Sequence, residues 1–263
     1  MMKTIKSLLA HPLTRGLDID SLETMTRRQK IIQAKPFLKR IYQEWYSLLV
    51  SNLPGKLEGP VLELGSGGGF LHALIPDLIT SDIIPIPGIN AVLDGQCLPF
   101  PMATLRGIVM IDVLHHLPNS RGFFEEAGRC TKPGGVITMI EPWVTPWSRL
   151  VYKKLHHEPF KPDATEWEFT QTGPLSGANG ALPWIIFQRD RAQFESTFPE
   201  WQIQCIHLFM PFRYIVSGGV SMRNLMPYWT FGIWRSFENL LKEKMDRFAM
   251  FANIVLTRID ATK

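Results

Sequence analysis

Between positions 37 and 50, FLKRIYQEWYSLLV sets Leu38, Ile41, Trp45 and Leu48 three and four residues apart, the period of an amphipathic helix. Pro36 suits its first turn, and SNLPG ends it. The pattern then changes. PVLELG reads as a short buried strand, FLHALIPD as a helix stopped at Pro76, LITSDI as a second strand and INAVLD as a third. RGIVMIDVL reads as a fourth strand, apolar on both faces from Ile108 to Val113. SRGFFEEAGRCT reads as a helix closed by KPGG, and GVITMIEPW as a fifth strand. Strands that are apolar on both faces and alternate with helices predict a parallel sheet covered on both sides.

Beyond Trp143 the pattern predicts a helix over PWSRLVYKKLHHE, a short one over RAQFESTF, and two late strands, WQIQCIHLF and FAMFANIVLTRI. Between those strands, RSFENLLKEKMDRF places Phe237, Leu240, Leu241, Met245 and Phe248 on one face of a single helix. Residues 159–184 are rich in Pro, Gly, Ser and Thr, and a loop of that length is expected to be a mobile lid or a wall of the site.

Composition narrows the class. Of 263 residues, 45% are apolar, enough for a sizeable core. Cys97, Cys130 and Cys205 are scattered and form no CxxC pair, so neither a disulfide framework nor a metal site is expected. The short apolar stretch at the N-terminus is broken by His11 and Pro12, and no window reaches the ~18 apolar residues of a membrane span. These features predict a cytoplasmic protein. Residues 1–58 carry ten Lys/Arg against five Asp/Glu, whereas residues 59–143 carry four against eight. The basic excess outside the glycine-rich region allows an anionic partner such as a membrane surface. No dense basic block or nucleic-acid motif appears, so nucleic acid is not an expected partner.

The most informative stretch is VLELGSGGGF, residues 61–70. A glycine turn after the first strand lets a ligand lie against bare backbone. The dinucleotide fingerprint GxGxxG fails here, because its last position falls on Phe70. What fits is an acid followed by alternate glycines: Glu63, Gly65, Gly67, Gly69. This stretch resembles motif I of the class I S-adenosylmethionine (AdoMet)-dependent methyltransferases. TSDI, LDGQCLPFP, VMIDVLHHLPN and RCTKPGGVITMIEP resemble that family's later segments, in the same order.

The resemblance implies an α/β fold: a Rossmann-like, doubly wound, mostly parallel seven-stranded sheet with helices on both faces and a C-terminal antiparallel strand. It divides the chain into an N-terminal helical cap (1–58), an AdoMet-binding core (59–143), and acceptor-side insertions with C-terminal strands completing the same sheet (144–263). It also implies AdoMet as cofactor and S-adenosylhomocysteine as product. Glu63, with the loop residues Gly65, Ser66 and Gly67, is expected at the amino-acid end of the cofactor. Asp82, followed by Ile83, is expected at the ribose hydroxyls, since an ionised carboxylate is acceptor-only. Asp94 is expected at the adenine amine, with the N–H of Gly95 or Gln96 donating to the ring. Ile111 and Leu98 are expected to sandwich the adenine.

Methyl transfer needs alignment and dryness, and a base if the acceptor carries a proton. Candidate catalytic residues follow strands four and five, whose carboxyl ends face the cofactor crevice: His116 and Glu141, with His115, Tyr152, His156 and His157 as further candidates. No Asn-Pro-Pro-Tyr segment follows strand four, where IDVL stands, so base-N6 or glutamine-amide methylation is not expected. Aromatic residues crowd the second half: Trp143, Trp147, Trp167, Trp184, Tyr228, Trp229, Phe231 and Trp234. They either cover the sheet or form an apolar acceptor pocket or membrane-facing surface. The expected function is methyl transfer from AdoMet to a small-molecule or lipid-like acceptor. The alternative is a catalytically silent AdoMet-binding regulatory protein of the same fold.

Overall fold

The computed structural model describes residues 10–13, 17–18, 20–155, 158–170, 173 and 177–260. His156 and His157 lie outside the described residues. Seven strands form one sheet in the order β3-β2-β1-β4-β5-β7-β6. They are β1 (Val61–Leu64), β2 (Leu78–Asp82), β3 (Ala91–Val92), β4 (Leu105–Ile111), β5 (Thr131–Pro142), β6 (Trp201–Phe209) and β7 (Phe251–Arg258). The first five pair in parallel, and β7 runs antiparallel between β5 and β6. The expected fold class is therefore present, with the two late strands completing the same sheet.

Helices α1 (Leu22–Ala34) and α2 (Pro36–Ser51) precede the sheet. Ser21 caps α1 by accepting the Thr24 N–H at 3.2 Å. Pro36 stands at the start of α2, as expected. Leu38, Ile41 and Trp45 are buried, but Leu48 is only half-buried and its neighbour Leu49 packs inward instead. Phe37, Trp45, Tyr46 and Leu49 close one face of the sheet over Val61, Val109 and Ile140. The opposite face is covered by α3 (Ser120–Cys130) and by segments from the second half, with Phe123, Phe124, Phe187 and Phe194 forming the core there.

The helix expected over FLHALIPD is absent. A single turn, Leu71–Ala73, joins the glycine loop to β2. Too few residues separate Gly69 from Pro76 to pay for a helix nucleus, and Tyr46 of α2 occupies the space instead. The Phe70 N–H donates to the Tyr46 hydroxyl at 3.2 Å, and the two rings meet edge to face at 4.9 Å. The N-terminal helices thus cover the sheet where a crossover helix was expected.

Past β5 come α4 (Pro146–Leu155), α5 (Arg191–Thr197), α6 (Arg213–Ser217) and α7 (Phe231–Leu240). The single helix expected over RSFENLLKEKMDRF is broken after Leu240 into short turns over Lys242–Lys244 and Met245–Phe248. Its expected apolar face packs only in part: Phe237 meets Phe212 at a ring distance of 5.5 Å but is 45% exposed, and Leu240 is 82% exposed. Among the described residues no helix is long and apolar enough to cross a membrane.

Two tryptophans test this division between core and surface. Trp45 is buried against Tyr214 and Phe251, at ring distances of 5.6 and 5.1 Å, whereas Trp229 is 72% exposed. Trp45→Ala is expected to lower the unfolding free energy by about 3–5 kcal/mol. Trp229→Ala is expected to change it by no more than about 0.5 kcal/mol. Urea denaturation of the two variants measures both.

Candidate functional site

The carboxyl ends of β1, β2 and β4 open into a cleft of about 300 Å³, roofed by α1 and α2. Glu63, Gly65, Ser66, Gly67, Asp82, Ile83, Asp94, Gly95, Gln96 and Ile111, the residues expected around the cofactor, all line it. Leu98 does not: it is buried in the sheet core, its N–H held by Glu126 at 2.8 Å, while Leu93 and Leu117 face the cleft in its place.

The glycine loop is built from both sides. Ser66 ties it to the sheet, with its N–H donating to Ser81 O at 2.8 Å and its hydroxyl to Glu63 Oε2 at 2.8 Å. Asp82 accepts the Gly67 N–H at 3.0 Å on one carboxylate oxygen and the Ile84 N–H at 3.0 Å on the other. Gly65 and Gly67 have φ of +66° and +49°, a region that disfavours side chains. The other two glycines answer to the chain itself. A Cβ on Gly68 would stand 2.5 Å from the Gln29 backbone of α1, and one on Gly69 would collide with the Tyr46 hydroxyl.

Burial raises the Glu63 carboxyl to about 7, against the stabilising Ser66 hydrogen bond. Burial also raises Asp82, opposed by its backbone N–H donors. Asp94 lies at the exposed rim, where it accepts the Gln96 N–H at 2.9 Å and the Gln96 amide at 3.0 Å. The Gln96 carbonyl in turn accepts the Asn119 N–H at 3.0 Å.

At the far end of the cleft lies a buried polar cluster. His115 Nδ1 stands 2.7 Å from Glu141 Oε2, and the other Glu141 oxygen accepts the N–H groups of Val113 and Leu114 at 2.9 and 2.7 Å. Glu141 is fully buried behind His115 and does not line the cleft, whereas His116 does. His116 Nδ1 faces Gly177 O at 3.3 Å, and its Nε2 faces Glu158 at 3.8 Å. His115 Nε2 stands 3.5 Å from the same carboxylate. Burial alone would lower His115, but Glu141 and Glu158 outweigh it and raise it to about 10. Burial, then the positive His115 alongside, lowers His116 to about 3 and keeps it neutral. Asp112, at a strained φ of +55°, is raised to about 7 chiefly by burial.

Three contributors escaped the sequence reading. Arg28 of α1 enters the cleft, although RRQK reads as a solvated helix face. Lys35, between α1 and α2, is buried and donates to Gly219 O and Met222 O at 2.6 and 3.0 Å, fixing a segment that lines the cleft. Burial lowers it to about 8. Glu158 joins the cluster from a loop that offered no motif. No described residue of 159–184 lines the cleft, so the expected wall is not formed there; the segment is instead tied to the fold by hydrogen bonds. Asn179 donates its N–H to His115 O at 2.9 Å, and the Trp167 indole donates to Asp190 at 2.9 Å.

Residues 62–139 match a family model described as a methyltransferase domain. No curated protein is detectably similar in sequence. Among solved structures, the chain is similar to geranyl diphosphate C-methyltransferase from Streptomyces coelicolor A3(2), crystallised with Mg2+, geranyl diphosphate and S-adenosyl-L-homocysteine. That likeness has 12% identity and a TM-score of 0.49, over 95% of this chain and 89% of the other. It is also similar to an S-adenosylmethionine-dependent methyltransferase from Mesorhizobium loti, with 14% identity and a TM-score of 0.49, over 81% and 96%. Residues 62–139, which span β1 to β5 of the sheet, thus carry a match to a methyltransferase domain.

Proposed function

We propose that this chain is a class I S-adenosylmethionine-dependent methyltransferase that acts on an apolar, lipid-like acceptor taken from a membrane surface. One observation carries the acceptor class. Leu225, Met226, Tyr228, Trp229, Ile233, Phe237 and Leu240 are all exposed, a concentration of large apolar side chains that soluble surfaces rarely show. Between 223 and 247 the exposed charges are Arg223, Arg235, Lys242, Lys244 and Arg247 against Glu243 and Asp246. Apolar side chains mixed with cations suit the interface of an anionic bilayer. The strip is held rigidly. Buried Glu238 accepts the N–H groups of Phe212 and Arg213, and Arg213 reaches back to Glu44 of α2 at 2.6 Å. The segment just before the strip, 214–222, lines the cleft through Tyr214, Ile215 and Met222. An acceptor entering beside the strip would therefore meet an apolar and aromatic wall.

The cofactor fits the donors present. AdoMet, when bound, supplies a methyl group activated by its sulfonium. Glu63 suits the cofactor's ammonium and Arg28 its carboxylate. Asp82 retains a lone pair on each oxygen for the ribose diol after accepting its two backbone N–H groups. Asp94, held by Gln96, suits the adenine amine at the rim, with Ile83, Ile111 and Leu117 as apolar walls. His116 offers a neutral imidazole to the acceptor. Its low basicity suits it to orienting an acceptor hydroxyl better than to storing a proton. Glu141 acts as a positioning residue through His115.

Glu63 must ionise to hold an ammonium, and its folded carboxyl titrates at about 7. Affinity for S-adenosylhomocysteine is therefore expected to fall by about tenfold from pH 8 to pH 6 by linkage. Glu63→Gln should flatten most of that profile, and Asp82→Ala should weaken binding at every pH; calorimetry across pH reads all three. Vesicles containing phosphatidylglycerol should co-sediment the chain, less so at high salt. The double variant Trp229→Glu, Leu240→Glu should abolish sedimentation while leaving S-adenosylhomocysteine affinity unchanged. Equal sedimentation of variant and parent would sink the membrane reading.

A further inference from the structure

The polar cluster at the acceptor end of the cleft gathers two imidazoles around one carboxylate. His115, His116 and Glu158 come together there with their ligand-capable atoms all within 4.8 Å of one another. The outer nitrogen of each imidazole is already assigned. Glu141 is an acceptor at 2.7 Å from His115 Nδ1, and Gly177 O is an acceptor at 3.3 Å from His116 Nδ1. A carboxylate and a carbonyl can only accept, so both Nδ1 atoms carry the proton. Both Nε2 atoms are thereby turned toward the Glu158 carboxylate, at 3.5 and 3.8 Å. This is the support that metal-bound histidines receive from their surroundings, an N–H donated outward to a carboxylate or carbonyl.

We propose that His115 Nε2, His116 Nε2 and Glu158 form a binding site for a borderline divalent cation, Zn2+ or Mn2+, at the acceptor end of the cleft. Ligands about 2.0–2.1 Å from a tetrahedral zinc lie about 3.3 Å apart. The two nitrogen–oxygen separations need to shorten by only a few tenths of an ångström to meet that. Two imidazoles with one carboxylate select such a cation over Mg2+ or Ca2+, which take oxygen donors. The surroundings are acidic: Asp112 and Glu141 also lie close to His115. The cation replaces the proton that His115 carries on Nε2, and that proton leaves to solvent.

All three ligands line the cleft, so the remaining coordination positions face the acceptor. With the cation bound, His116 Nε2 is a ligand, and the cation in its place would orient an acceptor oxygen and lower its pKa. That role rests on the methyl-transfer reading; the existence of the site does not. The sequence offered no zinc spacing, because two of the ligands are adjacent and the third is supplied 42 positions later by the fold.

The test uses the full chain, stripped with chelator and titrated with Co2+ as a spectroscopic stand-in, then with Zn2+ and Mn2+. The expected result is one equivalent per chain, with visible d–d absorption of bound Co2+ that Zn2+ abolishes. Glu158→Gln, close in shape to the parent, and His116→Ala should each weaken binding at least about tenfold, and Glu141→Gln by about 10–100-fold through loss of the outer support. S-adenosylhomocysteine binding by the same variants reports that the fold persists. Absence of d–d bands in the parent chain, or equal Co2+ affinity in parent and Glu158→Gln, overturns the site. Metal binding without S-adenosylhomocysteine binding would leave the site standing and overturn the transfer reading instead.

Discussion

The contact between the Gln29 backbone of α1 and Gly68 governs much of this molecule. With 2.5 Å between Gln29 Cα and the place a Gly68 Cβ would take, the approach is open only to glycine. That approach lets α1 lie directly on the ligand loop, and it brings Met25 and Arg28 over the cleft. One residue on, Gly69 gives the same access to Tyr46 of α2, whose hydroxyl accepts the Phe70 N–H. The N-terminal helices therefore take the place of a crossover helix after β1. The glycine loop serves two surfaces, the cleft on one side and the chain's own helices on the other.

A second constraint lies across the cleft, where polar groups are buried together at the ends of β4 and β5. Burying ionisable side chains is costly unless each is paired. Glu141 meets that condition with two backbone N–H groups and His115, and so fixes both the ring orientation of His115 and the turn after β4. The neighbouring imidazoles then differ sharply in charge: His115 is held as a cation by its carboxylates, and that cation helps keep His116 neutral. Two adjacent histidines with the same chemistry in isolation acquire opposite protonation states from their positions.

Legibility followed the length scale of the interactions. The ends of β1, β2 and β4 and the residues at them were readable because local spacing places them, and a parallel sheet sends its carboxyl ends to one crevice. Leu98 was misassigned because Leu93, Leu98 and Leu117 look alike in sequence; only packing separates the cleft-facing ones from the core. The helix expected over RSFENLLKEKMDRF failed for a related reason. Its periodic face exists, but the described fold covers it only in part, and Glu238 anchors the segment through Arg213.

What the amino-acid order determined by itself is one end of the cleft: the strand series, the glycine turn and the acids at Glu63, Asp82 and Asp94. Those features lie within a few residues of the strand ends that carry them, so no distant contact is needed to place them. The tertiary structure alone decided the rest. Arg28 and Glu158 reach the cleft, and Lys35 fixes a segment that lines it, from stretches that read as solvated helix or loop, and their neighbours there are far away in the chain. Whether a charged side chain meets solvent or a buried partner depends on which distant backbone folds against it, and single-sequence periodicity holds no record of that.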